Sequence, residues 1–271
     1  MNNSDWIRVS RQNPCPICGK PDWCLTSCDG SVAICPRTPS DRMAGSAGYI
    51  HDINPLMAPS LPAPRMPEPE PYLDIDWRLG ADQAVNRMEN FMYDELTKQT
   101  GLSKGELQSM RVGWSSKKSA YTFPMRDHEG ATIGIRLRTP EGKKFAVKGS
   151  RAGLFYAGDP PAKGQVLIAE GPTDTACLAG KGFSVVGRPS CNGGGIYLLK
   201  MLSWKHQAVL VADNDKPGRD GAESIAKLIK DKAASVRIMT PPRGNDIKDW
   251  VVDYSATPAV IQAVIDQSRF A

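Results

Sequence analysis

Val166-Leu-Ile-Ala-Glu170-Gly171-Pro-Thr-Asp174 and, some forty residues on, Val209-Leu-Val-Ala-Asp213-Asn-Asp215-Lys-Pro-Gly218 decide how this chain folds. Each stretch is a short apolar strand that stops on carboxylates. In open α/β sheets, ligands gather at the carboxyl ends of the strands, so Glu170, Asp213 and Asp215 are expected at one edge of a sheet. Acids brought together repel one another unless a cation lies among them, and hard oxygen ligands favour Mg²⁺ or Mn²⁺. Metals held this way commonly act on phosphates, which makes phosphoryl chemistry the leading expectation. Asp213 and Asp215, two apart in an extended segment, are expected to point the same way. Asp174, one helical turn beyond Glu170, projects toward the same edge. Asp246 in Arg243-Gly-Asn-Asp246 follows the strand Val236-Arg-Ile-Met-Thr and is a candidate further ligand.

The surroundings are alternating. After Gly164, strands at 165–169, 183–187, 207–212 and 235–239 are interleaved with helices near 172–180, 196–203 and 219–231, the pattern of a parallel sheet built from βαβ units. Pro172 in the first helical turn and Gly180 at its end punctuate the first helix. A last helix is predicted near Pro258 to Ser268. Two duller readings of the acids compete. The run from Asp213 resembles the start of a calcium loop, but Pro217 stands where an oxygen ligand belongs and position twelve is Ser224, so calcium is excluded. Alternatively, acids at strand ends simply cap helices or form turns.

Upstream, residues 104–151 carry eleven Lys and Arg against the four acids Glu106, Asp127, Glu129 and Glu141, a local surplus that suits a polyanion although the whole chain is only +5. From Gly80 to about Met110 the apolar spacing is helical until Gly101 breaks it, and Ser103 caps a short helix over Lys104 to Met110. Strands then follow at Ala120-Tyr-Thr-Phe-Pro-Met, Thr132 to Arg138 and Lys144 to Lys148, with turns at Glu129-Gly130 and Glu141-Gly142.

Five of seven cysteines (Cys15, Cys18, Cys24, Cys28 and Cys35) lie in the first 35 residues. That crowding suits a metal site in a reducing compartment better than a disulfide framework. Cys15-Pro-Ile-Cys18-Gly19 is a thiolate knuckle, and a hairpin of Trp23–Ser27 with Ser31–Ile34 around Asp29-Gly30 carries Cys24 and Cys35 toward it. The favoured zinc ligands are Cys15, Cys18, Cys24 and Cys35, with Cys28 competing for the place of Cys24. Trp23 could stack on an unpaired base or pack under the hairpin. Next comes Pro55 to Pro71, seven prolines in seventeen residues, read as a semi-rigid linker reaching roughly 50 Å at full extension. Ser190-Cys-Asn-Gly-Gly-Gly195 is a weak phosphate-loop candidate; His51, His128 and His206 read as surface or structural residues. No G-x-x-x-x-G-K-[ST] occurs, so no Walker-type motor is encoded. The absence of a long apolar run or signal pattern makes the expected location cytoplasmic, with no membrane partner.

These motifs resemble the Toprim domain, the catalytic fold shared by bacterial DnaG-type and bacteriophage primases, type IA and II topoisomerases and some nucleases. Leu167-Ile-Ala-Glu170-Gly171-Pro-Thr-Asp174 matches the glutamate motif of that family; Asp213-Asn-Asp215 with Gly218 and Gly221 matches its Asp-x-Asp motif; Asp246 matches its late acid. Toprim primases also carry an N-terminal zinc ribbon and a basic segment in this order, and Gly134-Ile-Arg136 and Lys144 to Lys148 resemble the part that meets template and nucleotide. One departure is that Cys35 is followed by Thr38 rather than closing a Cys-x-x-Cys pair.

The resemblance implies an α/β chain: a zinc-binding module at 1–52, a Pro-rich linker at 53–72, a basic α+β subdomain at 73–162, a Toprim-type parallel-sheet catalytic domain at 163–253 and a C-terminal helix at 254–271. It implies a DNA primase of a phage or other mobile element, a nucleotidyltransferase making short RNA primers on single-stranded DNA from NTPs. Structural Zn²⁺ and catalytic Mg²⁺ or Mn²⁺ would be bound. Glu170, Asp213 and Asp215 would hold the catalytic metal with Asp174 and Asp246 beside them, and Arg136, Arg138, Lys144 and Lys148 would bind nucleotide and template. A separate replicative helicase would be its partner. The rival readings are a Toprim nuclease and a non-catalytic zinc-bearing protein that binds single-stranded DNA or loads a helicase.

Overall fold

Apolar strands that alternate with helices leave two faces of a sheet to cover, and the computed structural model, which describes residues 6–28, 30–53, 75–191 and 193–271, shows both faces covered. The chain divides into two compact units, Met1–Tyr72 and Leu73–Ala271. The proline-rich stretch 55–71, the turn residue Asp29 and Asn192 lie outside the described residues.

In the first unit, β1 (Trp6–Arg8), β2 (Leu25–Ser27), β3 (Val32–Cys35) and β4 (Tyr49–Asp52) form an antiparallel meander in that order. The predicted hairpin is present as β2 and β3, two residues shorter on its first arm. The outer strands are additions, because strands of three or four residues carry no readable alternation. Trp23 does not pack under the hairpin: it precedes β2 at φ +64°, with 73% of its surface exposed. The buried centre is small, consisting of Val9, Cys15, Cys24 and Cys35 with Ile17 and Cys18 against them. So small an apolar centre contributes little folding free energy by itself, the situation in which small modules rely on a staple such as a metal.

The second unit opens with α1 (Trp77–Val85), α2 (Asn90–Thr100) and α3 (Lys104–Ser109). The helical run predicted from Gly80 is thus three helices, starting earlier because the Asp76 side chain accepts from the Leu79 N–H. Gly101, at φ +72°, closes α2, and Ser103 forms the predicted cap, reciprocated by Glu106. An antiparallel sheet follows in the order β5 (Gly113–Ser115), β6 (Ala120–Arg126), β7 (Thr132–Arg138) and β8 (Lys144–Ala146). The last strand stops two residues short of Lys148.

The larger sheet contains β9 (Gly164–Glu170), β10 (Val185–Arg188), β11 (His206–Val211), β12 (Ser235–Met239) and β13 (Arg269–Phe270), in the order β10-β9-β11-β12-β13. The first four are parallel; β13 joins antiparallel to β12. Two-residue β13 is unforeseen for want of any pattern. Crossovers are α4 (Gly171–Gly180), α5 (Gly195–Met201) and α6 (Lys216–Ile229); α7 (Ile247–Val252) and α8 (Pro258–Gln267) complete the unit. Side chains alternate along each strand. Leu167, Ala169, Val209 and Val211 join one core with α4, α7, α8 and the β6 residues Tyr121, Phe123 and Met125. Val166, Ile168, Ala208 and Leu210 join the other, with α5 and α6. The basic sheet and the parallel sheet therefore share a core, which fixes one against the other. Among the described residues no helix is long and apolar enough to cross a membrane.

Candidate active site

The strand order reverses direction between β9 and β11: from β9 the chain goes first to β10 on one side, then to β11 on the other. Such a switch point opens a crevice at the carboxyl ends of the two strands. The parallel register pairs Ile168 with Leu210, so Glu170 at the end of β9 and Asp213 just past β11 come out side by side. A cavity of about 180 Å³ lies there, lined by Glu170, Asp174, Asp213 and Asp246 on one wall and by Arg136, Arg138 and Lys144 from β7 and β8 on another. Seven of the nine acids and cations expected at the site are thus gathered in one place.

The other two are not among its lining residues. Asp215, whose own backbone is extended, does not line the cavity beside Asp213. β11 ends at Val211, and Asp215 instead caps α6, accepting from the Gly218 N–H at 2.7 Å. Asp246 likewise caps α7, accepting from the Asp249 N–H at 2.7 Å, yet still faces the cavity. Helix capping, the duller reading of these acids, is therefore true of both. Glu170 occupies the cap position of α4 without making a side-chain cap, which leaves its whole carboxylate for the cavity. Lys148 lies beyond the end of β8 and does not line the cavity.

Two glycines in the motifs have steric reasons. Gly171 has φ +85°, a conformation that turns the chain from β9 into α4 and that other residues rarely adopt. A Cβ on Gly218 would stand 2.8 Å from the Asp213 Cβ and 3.0 Å from Asp215 Oδ1, so the helix start can press against the acids only as glycine.

Sequence reasoning passes over Asn214, which looks like a spacer. Its Nδ2 donates to the carbonyls of Pro241 and Gly244, both at 2.8 Å, and its backbone N–H to the Asn245 carbonyl at 2.7 Å. These bonds tie the end of β11 to the loop after β12 and bring Asp246 beside Asp213. Arg188 and Lys248 escape it too. Arg188 ends β10 opposite Glu170 in the register, is fully buried, and lies 3.9 Å from the Glu170 carboxylate. Lys248 pairs with Asp249 at 2.7 Å. Only a three-dimensional register could have assigned either to the site.

The acids strain against one another. Burial, then Asp246 and Asp213, push the Asp174 carboxyl well above the usual range. Burial, then Glu170, Asp246 and Asp215, push Asp213 up to about 7, with Arg188 pulling the other way. Asp246 is raised by burial against the opposing Asp249 N–H and Lys248. Asp174 Oδ1 is buried without a hydrogen-bond partner. An orphaned carboxylate oxygen and ionisation suppressed across three neighbouring acids are the marks of a site whose charge awaits a cation, and an all-oxygen donor set fits Mg²⁺ or Mn²⁺. Among the described residues, no three acids bring their oxygens within 4.8 Å of one another; they ring the cavity rather than meeting at a point.

The cysteines do meet. Sγ atoms of Cys15, Cys18, Cys24 and Cys35 all lie within 4.8 Å of one another, with Cys18–Cys24 at 3.7 Å and Cys24–Cys35 at 3.8 Å. A tetrahedral ion with metal–sulfur bonds of about 2.3 Å needs sulfurs about 3.8 Å apart, so the spacing suits zinc. Burial and the other thiols push the Cys24 thiol far up, as expected where four thiols crowd together without a cation. Arg37 Nη1 lies 3.6 Å from Cys24 Sγ and bonds the Asp22 carbonyl at 2.8 Å, an outer cation facing the cluster. Cys28 is exposed and outside the group.

Residues 167–251 match the Toprim-like family. The structure of the DnaG primase catalytic domain bound to ssDNA superposes with a TM-score of 0.56 at 15% identity, covering 72% of this chain and 80% of that one. The primase fragment of the bacteriophage T7 primase-helicase protein gives 0.52 at 16% identity, covering 96% and 99%. The Aquifex aeolicus primase, with its zinc-binding and RNA polymerase domains, gives 0.56 at 14% identity, covering 100% and 81%. No curated protein sequence is significantly similar to the chain. At these identities the likeness is one of fold, and at that level the expected resemblance is borne out. A mixed α/β unit with a parallel sheet, matching the Toprim-like model over residues 167–251, follows a four-cysteine module, and the whole superposes on the zinc-binding and RNA polymerase domains of the Aquifex primase.

Proposed function

We propose that the chain is a DNA primase that joins ribonucleotides on a single-stranded DNA template. The observation that carries this reading is the cavity with one anionic and one cationic wall, built at the switch point of a Toprim fold. Glu170, Asp213 and Asp246 would hold divalent metal, which when bound supplies charge stabilisation to the pentavalent phosphorus and its leaving pyrophosphate. Asp174, buried beside them, adds a carboxyl whose ionisation is disfavoured by burial and by the neighbouring Asp246 and Asp213. Across the cavity Arg136, Arg138 and Lys144 would bind the triphosphate and template backbone, steering the incoming phosphate into line by charge and position rather than by covalent chemistry. Asp215 acts one step removed: by capping α6 it fixes the turn that carries Asp213.

The four-cysteine module would hold Zn²⁺ and, with Trp23 exposed beside it, offer a flat face to an unpaired base. The near-complete mutual coverage with the T7 fragment supports a compact primase of phage type, and that fragment's origin in a primase-helicase protein supports a replicative helicase as partner. Seven cysteines, with no disulfide among the described residues, suit the reducing cytoplasm.

Incubation with single-stranded DNA, Mg²⁺ and labelled NTPs tests the reading. We expect short RNA products from the wild type and none from Asp213→Ala, with DNA binding nearly unchanged. Template cleavage instead of synthesis would assign a nuclease, and undiminished synthesis by Asp213→Ala would refute the assignment of the site.

A further inference from the structure

Among the described residues Arg188 is the largest fully buried side chain, and its charge is largely unsatisfied. Arginine has five N–H donors. Here Nη1 donates to the Cys191 carbonyl, while Nε and Nη2 have no hydrogen-bond partner. The nearest anion is Glu170, at 3.9 Å, too far for a hydrogen bond but close enough for strong attraction in a buried setting. A buried guanidinium left in this state is costly to fold, and natural proteins retain such groups where a second requirement applies.

The position suggests the requirement. Arg188 is cross-strand partner to Glu170, and the two residues after it, Pro189 and Ser190, form part of the cavity wall. Its guanidinium therefore lies beside Glu170, behind the wall that Pro189 and Ser190 form. The cations of the opposite wall differ in kind. Lys144 is exposed, and Arg136 and Arg138 are partly so; all three are available to a polyanion, whereas Arg188 reaches no ligand from outside. Its Nη1 bond alone would account for a tether on the 188–194 loop, but a neutral donor would serve there without the cost of a buried charge.

We propose that Arg188 is a built-in counter-ion of the acidic cavity, offsetting part of its negative charge and thereby weakening its hold on divalent cations. The inference rests on the metal-binding part of the function proposed above. Its sign is distinctive. Removing a counter-ion deepens the negative potential and tightens cation binding, whereas removing a structural tether loosens the site and weakens binding.

Mn²⁺ binding to the full-length protein, followed by the electron paramagnetic resonance signal of free Mn²⁺ at pH 8 without nucleotide or DNA, reads this sign. Arg188→Met is expected to bind Mn²⁺ about tenfold more tightly than the wild type, as the loss of one unit charge near a divalent ion implies. Arg188→Lys, which keeps the charge, should remain within about twofold of the wild type. Should Arg188→Met fail to fold by near-ultraviolet circular dichroism, Arg188→Gln, still able to donate to the Cys191 carbonyl, supplies the neutral comparison. Equal or weaker Mn²⁺ binding by a folded neutral variant overturns the proposal and leaves the proposed function intact. Failure of the wild type to bind Mn²⁺ overturns both.

Discussion

Replacing Asp213 by asparagine should make the cation-free protein more stable, even though the same change would remove a metal ligand from the function proposed above. Asp213 carries a pKa of about 7 against an ordinary value of 3.8, raised first by burial and then by Glu170, Asp246 and Asp215. A carboxyl whose pKa is higher folded than unfolded binds its proton more tightly in the fold. Its support is therefore complete below about pH 4 and is lost as pH rises through about 7. At pH 8 the full shift of about 3 units corresponds to about 4 kcal/mol at 1.36 kcal/mol per unit. Asp213 is only part-buried, so solvent screening reduces this to about 2 kcal/mol. For a unit of this size that is a rise in Tm of about 4–8 °C. At pH 5 wild-type Asp213 is already protonated in the fold, and the advantage of asparagine shrinks to about 1 kcal/mol or less. Thermal melts followed by circular dichroism, in buffer stripped of divalent cations, measure both. Millimolar Mg²⁺ should then stabilise the wild type more than Asp213→Asn. If asparagine brings no gain at pH 8, or a gain independent of pH, the argument from mutual repulsion of the acids is wrong.

Other expectations concern the remaining parts of the molecule. Arg138→Ala with Lys144→Ala should weaken binding to single-stranded DNA and lower the slope of log K against log salt by about 0.7 for each phosphate no longer neutralised, measured by fluorescence anisotropy across a salt series; an unchanged slope would remove the cationic wall from the DNA path. Cys18→Ser should release zinc, measured by atomic absorption, and render residues 6–53 protease-sensitive while the melt of residues 75–271 is unchanged, because the first unit has few buried apolar groups of its own. Gly218→Ala should cost about 1–3 kcal/mol in a denaturant melt, since its Cβ would press on the Asp213 Cβ at 2.8 Å.

The parts legible in the sequence are those whose signal is local. Strands β9 and β11 read clearly because both faces of a parallel sheet are buried, so each appears as an unbroken apolar run ending abruptly on an acid. Ser103 and Gly101 announce helix ends through their own backbone chemistry. The grouping of Cys15, Cys18, Cys24 and Cys35 follows from knuckle and hairpin spacing. Short strands such as β1, β4 and β13 have too few residues to show a period. The division of roles between Asp213 and Asp215 is hidden for a different reason: spacing by two does not show that the chain turns into α6 directly after Asp215, whose carboxylate then caps that helix.

That turn shows why capping and cation binding, posed as rival readings of the acids, hold together. A carboxylate has two oxygens, and a helix cap takes one. Asp215 and Asp246 each spend an oxygen on a backbone N–H at 2.7 Å, which fixes the loops on which the acids stand. Asn214 then clamps the two loops together through three hydrogen bonds. Glu170 and Asp213, free of capping bonds, keep their carboxylates for the cavity, and Arg188 behind Glu170 holds charge there that water cannot reach. The site is thus positioned by two helix caps and the Asn214 clamp and left electrostatically unbalanced by its charges. Asn214→Ala should separate the two effects: losing two side-chain hydrogen bonds, it should weaken Mn²⁺ binding by letting Asp246 drift from Asp213, while the raised pKa of Asp213 falls toward 3.8 as that neighbour recedes. Titration of the Asp213 carboxyl by nuclear magnetic resonance would show it, and an unmoved pKa with weakened Mn²⁺ binding would contradict the clamp.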